Sequence, residues 1–247
     1  MAIKKAHVIT VTSVKGGTGK STTVLNLAGV LSLRKQKTLI LDLDLYSGAI
    51  APSLNIDITT DLYRLINDMY MNRFDNIENY VCSYNEYIDI IPAPKDPRLA
   101  NKIKNKYLSL VIKKASTRYD FILIDTTHSL SDINLLALDN SDLILYLVTN
   151  NLVDLKSMRS MVSIYKDMNK NNYRIIMNNS IDKNRSCFTN YDINNILGDN
   201  IDYTISSNFY QRNIDQYVID GKILSLIYPQ KYMVFEDIIS DFLKEDK

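Results

Sequence analysis

The sequence predicts an α/β fold, a doubly wound, mainly parallel β-sheet with helices on both faces. Three observations carry this. Apolar strand-like runs alternate with helical segments from end to end, as βαβ units require. The runs are nearly continuous in Ile, Leu and Val, as expected of strands covered on both faces. A glycine-rich turn, Gly16-Gly17-Thr18-Gly19, separates the first run from the first helical segment and so places an anion site at the carboxyl end of a strand.

The elements follow in order. Residues 8–12 (Val-Ile-Thr-Val-Thr) form the first strand and residues 21–34 the first helix. Strand-like runs recur at 38–42, 87–91, 121–125, 143–149, 173–177 and 201–205. Helices are predicted over 98–115, 151–168 and 192–197, with 233–243 closing the series. At 247 residues and 46% hydrophobic, the chain suffices for one substantial core, so residues 1–247 are expected to form a single domain. With 29 Lys plus Arg against 28 Asp plus Glu the net charge is +1, so no global field draws the protein to nucleic acid or an anionic membrane. Cys82 and Cys187 are far apart and belong to no metal-ligand pattern; both read as ordinary buried or half-buried thiols. The chain shows no apolar leader and no run of about 18 apolar residues, so a cytoplasmic, non-membrane-inserted protein is expected.

The chemistry is concentrated in Val14-Lys15-Gly16-Gly17-Thr18-Gly19-Lys20-Ser21-Thr22. Glycines let the backbone approach an anion and turn successive N–H groups inward, while the following helix aims its positive end at the same point. A lysine at position 20 suits the β- and γ-phosphates, and a hydroxyl at Ser21 suits a magnesium shell. The strict pattern G-x-x-x-x-G-K-[ST] is not met, because Val14 stands where it asks for Gly and Lys15 is added beside the glycine pair.

That departure resembles the deviant Walker A box, x-K-G-G-x-G-K-[ST], of the ParA/MinD family of P-loop ATPases. The resemblance extends over nearly the whole chain and implies ATP and Mg2+ as ligands, bound by Lys15, Gly16, Gly17, Thr18, Gly19, Lys20, Ser21 and Thr22. It implies that Lys15 reaches the phosphates of ATP in a second subunit, so that ATP closes a face-to-face homodimer and hydrolysis opens it. The segment Leu41-Asp42-Leu43-Asp44 looks like the family's switch I. By alternation along a strand Asp42 and Asp44 share a side, near the phosphates if the second strand neighbours the first. Asp44 then positions the attacking water, and Asp42 supports the metal. Residues 121–125, an apolar strand ending in Asp125, look like Walker B, with Asp125 serving the magnesium; Thr126-Thr127-His128 departs from the family's usual small residues at switch II. Asn178, ending the run 173–177, matches the family's adenine-contacting Asn, while Asn179 replaces an Arg.

Below family level, Asp42-Leu43-Asp44-Leu45-x-x-Gly48 and Ile91-Pro92-Ala93-Pro94 are similar to TadZ/CpaE proteins, which position pilus machinery at a cell pole. A protein activator or cargo, unidentified by the sequence, is implied. The alternative is a DNA-binding partitioning ATPase recruited to the nucleoid, with Lys102, Lys104, Lys106, Lys113, Lys114 and Arg118 as the patch. Against it, Leu99, Ile103, Tyr107 and Leu110 give that segment an apolar helical stripe, which makes the lysines a solvated face. A nucleotide-binding scaffold that does not hydrolyse is the alternative of another class. The acidic tail from Glu236 reads as a docked terminal helix rather than a membrane anchor.

Overall fold

The structure is a computed structural model and describes residues 5–181, 188–209 and 211–245. Cys187 and the first four residues lie outside the described residues. The strands are β1 His7–Thr12, β2 Thr38–Asp42, β3 Cys82–Ser83, β4 Ile88–Ile91, β5 Phe121–Asp125, β6 Leu143–Val148, β7 Tyr173–Asn178 and β8 Tyr203–Ile205. They form one eight-stranded sheet in the order β3-β4-β2-β5-β1-β6-β7-β8. All neighbours pair in parallel except the short β3, which runs antiparallel to β4 at the edge.

The helices are α1 Lys20–Leu33, α2 Ile50–Ser53, α3 Leu62–Tyr70, α4 Leu108–Ala115, α5 Asp132–Asp139, α6 Leu152–Asp167, α7 Asn190–Leu197, α8 Ile214–Ile219, α9 Leu224–Ile227 and α10 Met233–Glu245. Alternation along the strands sorts them into two faces. Ile9 and Val11 of β1, Leu123 of β5 and Leu145 and Leu147 of β6 pack on one side with α1, α9 and α10. Val8, Ile122 and Ile124 point the other way, against α3, α4 and α5, while Ile144, Tyr146 and Val148 meet α6 and α7. Both faces are therefore dry, which is why the strands read as continuous apolar runs. The terminal helix α10 docks through Phe235, Ile238, Ile239 and Phe242.

Three expectations are corrected. The second strand does not neighbour the first, because β5 lies between them and Asp42 pairs with Asp125 in register. β2 ends at Asp42, so the shared-side argument does not reach Asp44, which stands in the loop beyond the strand. The helix expected over 98–115 is broken into two 3-10 turns, Pro97–Lys102 and Asn105–Tyr107, before α4, because Ile103 and Lys104 are extended. The stripe holds only in part: Ile103 is buried and Tyr107 packs against the core, but Leu110 is 38% exposed, and burial falls also on Ala100, Leu108, Val111 and Ile112.

β1 is flanked by β5 and β6 near the middle of the sheet, so the loop leaving its carboxyl end is surrounded by the ends of buried strands. A site there inherits the rigidity of the sheet.

Candidate functional site

The loop between β1 and α1 takes a path that side chains oppose. Gly17 has φ +73° and Gly19 φ +92°, both in the left-handed region, and a Cβ on Gly19 would lie 2.6 Å from Asn178 Nδ2. α1 starts at Lys20 with no side-chain cap and no acidic residue in its first turn, so no carboxylate on this helix competes with an incoming anion for the N–H groups there.

Lys20 Nζ donates to Ser13 Oγ at 3.0 Å, and the Ser13 hydroxyl donates to Lys15 O at 2.6 Å. Ser13 therefore ties the two lysines of the loop together, a task the residue's type alone did not signal. Burial holds the Lys20 ammonium below its usual pKa, opposed by the attraction of Asp125, Asp44 and Asp154. Ser21 Oγ donates to Asp125 Oδ2 at 2.5 Å, while Asp125 Oδ1 is buried and lacks a protein partner. Thr126 Oγ1 donates to Val11 O at 3.0 Å and so anchors the start of switch II to β1.

Asp42 is spent on the local backbone. Its Oδ1 accepts from Asp44 N at 3.0 Å and its Oδ2 from Ile50 N at 3.1 Å, which folds the segment after β2 back over the strand end. Asp42 and Asp125 are each 1% exposed, and burial, reinforced by neighbouring carboxylates, raises both pKa values. Asp44 is half-buried, and its carboxylate accepts from Ser47 N at 3.3 Å.

Asn178 reaches the loop from the end of β7. Its Nδ2 donates to Thr18 O at 2.9 Å, and its Oδ1 accepts from Ser180 N and Oγ at 2.9 and 2.7 Å. Beside it, Gly19, Thr22, Ile181, Phe209, Gln211 and Tyr232 line part of a cavity of about 240 Å³. A second cavity, about 100 Å³, separates residues 15–18 from residues 149–151. Lys15 is exposed, and His128 lies against Gly16, where a Cβ would be 3.5 Å from Nδ1.

The structure thus brings Lys15, Lys20, Ser21, Asp125 and Asn178 around one loop, with Asp42 behind Asp125. Sequence reasoning missed Ser13, whose short-range bonds depend on the fold of the loop, and Asp154 and the aromatic wall from the C-terminal third, which reach the loop from distant segments. The donor set fits a magnesium ion at Ser21 and Asp125, since the orphaned Asp125 Oδ1 is a hard acceptor in want of a partner. Among the described residues no group of three or more His, Cys, Asp or Glu could hold a metal. A metal held there would need nucleotide oxygens to complete its shell.

A loop of this shape at the end of a central parallel strand is the P-loop arrangement of an α/β protein. The profile of the AAA domain family AAA_31 matches residues 6–183, and the chain belongs to that family. It is 30% identical over 149 residues to the chromosome partitioning protein ParA of Myxococcus xanthus, covering 56% of this chain and 50% of that protein. It is 28% identical over 144 residues to the sporulation initiation inhibitor protein Soj of Bacillus subtilis, covering 55% of each. The chain spans about half the length of the curated relatives it matches. Among solved structures, the ParA family ATPase of Chlorobium tepidum superposes with a TM-score of 0.81 at 23% identity, covering 95% of this chain and 98% of that one. The septum site-determining protein MinD of Pyrococcus horikoshii, complexed with Mg-ADP, superposes at 0.76 with 21% identity and 93% of each chain covered. Among the described residues no helix is long and apolar enough to cross a membrane.

Proposed function

We propose that the chain is an ATP-driven dimerisation switch of the ParA/MinD type, which hydrolyses ATP to ADP and phosphate and uses its nucleotide state to position a cellular cargo. The supporting observation is the convergence, at the uncapped start of α1, of the Ser21 hydroxyl, the half-satisfied Asp125 carboxylate and the Lys20 ammonium.

In this reading the amides of residues 16–22 and Lys20 hold the β- and γ-phosphates and stabilise charge as it develops on the transferred group. Magnesium, when bound with ATP, offsets further phosphate charge; Ser21 and Asp125 would hold it, with Asp42 as support behind Asp125. Asp44 orients the attacking water. Asn178 braces the loop through Thr18, and the adenine lies beside it, in the cavity walled by Ile181 and Phe209. Lys15, exposed at the start of the loop, reaches the phosphates of a second copy and closes a homodimer across ATP. A protein activator or cargo, of TadZ/CpaE type at a cell pole, reads the dimer.

A second reading, nucleoid-associated partitioning, is favoured by the likeness to ParA and Soj and by the basic segment between Lys95 and Arg118, where eight Lys or Arg accompany one carboxylate, Asp96. Sedimentation with ADP, with ATP and magnesium, and with ATP plus a DNA fragment tests both. The expected outcome is a dimer only with ATP. Lys20→Ala should lose nucleotide binding and dimer, whereas Lys15→Ala should keep ATP binding and lose the dimer. Equal dimer formation by Lys15→Ala and wild type would sink the cross-subunit role.

A further inference from the structure

Asp154 is the third residue of α6 and is 0% exposed. Its Oδ2 accepts from both Thr149 N and Thr149 Oγ1 at 2.7 Å, while its Oδ1 is buried without a partner. Helix capping does not account for that second oxygen, because the Asn151 side chain already accepts from Val153 N and Asp154 N. A buried carboxylate with an unpaired oxygen is costly unless a countercharge offsets it. Lys15 and Lys20, the two lysines of the phosphate loop, both act on it as cations. Thr149, which Asp154 grips, forms the wall opposite residues 15–18 across the cavity of about 100 Å³.

We propose that Asp154 is a positioning residue that stands in for phosphate: in the nucleotide-free protein it supplies the anion for Lys15 and Lys20, and incoming nucleotide must compete with it. Lys20 also feels Asp125 and Asp44, which belong to the site already described, and Asp154 in turn feels Lys15 and Lys20. The carboxylate thereby weakens retention of nucleoside diphosphate, since it recovers the lysines as phosphate leaves. It also keeps Lys15 from engaging a second copy before ATP is bound. This rests on the reading of the loop as an ATP site.

The test is calorimetric binding of ADP and of a non-hydrolysable ATP analogue to wild type, Asp154→Asn, Asp154→Glu and the pair Asp154→Asn with Lys15→Gln. Asp154→Asn keeps an acceptor for Thr149 and removes the charge, so both nucleotides should bind about five- to ten-fold tighter at low salt. Asp154→Glu, which restores the charge, should return towards wild type, and the gain should shrink in the Lys15→Gln background. Unchanged or weaker binding by Asp154→Asn overturns the proposal while leaving the ATP reading intact. So does a melting temperature several degrees below wild type, which would make Asp154 a residue of the fold alone. Wild type that binds neither nucleotide overturns both.

Discussion

Burial decides the chemistry of individual residues at this site. Lys20 is held below the usual lysine range and Asp42 and Asp125 above the usual carboxylate range, in each case chiefly because burial disfavours the charged form. The sign for stability follows. A carboxyl whose folded pKa is raised contributes stability fully below its unfolded value, about pH 4, and loses it as pH climbs through the raised value. Nucleotide-free protein should therefore melt at lower temperature near pH 8 than near pH 6, by about 1–2 kcal/mol of stability. Asp42→Asn should flatten that slope; an identical slope in thermal melts of the variant would show that the pair does not titrate in this way. Lys20, Ser21, Asp125 and Asp42 were all legible as types in motifs, but the backbone bonds of Asp42 were not. Only its bonds to Asp44 N and Ile50 N show that it shapes the segment after β2 as well as standing behind Asp125.

At the scale of elements, α1 carries the site and is itself clamped from behind. Asn26 Oδ1 accepts from Ser225 N at 2.9 Å, Ser225 Oγ donates to Asn26 O at 2.8 Å, and α9 packs directly on the helix. Gly29 makes that approach possible: a Cβ there would lie 2.1 Å from Ser225 Oγ and 2.7 Å from Ile223 Cγ2. Gly29→Ala gains about 1 kcal/mol in helix propensity, yet overpacking costs about 1–3 kcal/mol, so net destabilisation is expected. A higher melting temperature for Gly29→Ala would mean that α9 yields without cost. The seven parallel strands were legible to within a residue or two because the doubly covered sheet demands unbroken apolar runs, whereas the short antiparallel edge strand β3 went unread. α3 and α5 went unread. The segment 98–115 was read as one helix because its apolar spacing mimics a helical period, whereas the extended backbone at Ile103 and Lys104 interrupts it.

For the molecule as a whole, the near-neutral charge hides a local imbalance. Lys104 lies 5.9 Å over the Tyr70 ring, Lys106 5.5 Å over Tyr107 and Lys114 5.7 Å over Phe74, while Arg118 pairs with Glu78 at 3.0 Å. If partitioning is the function and this face meets DNA, replacing Lys104, Lys106 and Lys114 together by Glu should abolish co-sedimentation with DNA and leave ATP-driven dimerisation untouched. DNA binding that survives the triple replacement would place the contact elsewhere.

The sequence by itself determined the fold class and the glycine-rich loop at the end of β1, because hydrophobic periodicity and glycine chemistry are local properties written in consecutive residues. The tertiary structure alone decided that Asp42 lies beside Asp125, that Asn178 grips Thr18, that Ser13 joins the two loop lysines and that Asp154 is buried opposite them. The placements of Asp42, Asn178 and Asp154 depend on the strand order, which inserts β5 between the first two strands, and on segments distant in sequence meeting at one end of the sheet; the Ser13 bonds are short-range and depend on how the loop itself folds. Long-range pairing of this kind is set by how the faces of strands and helices cover one another, and no window of neighbouring residues encodes it.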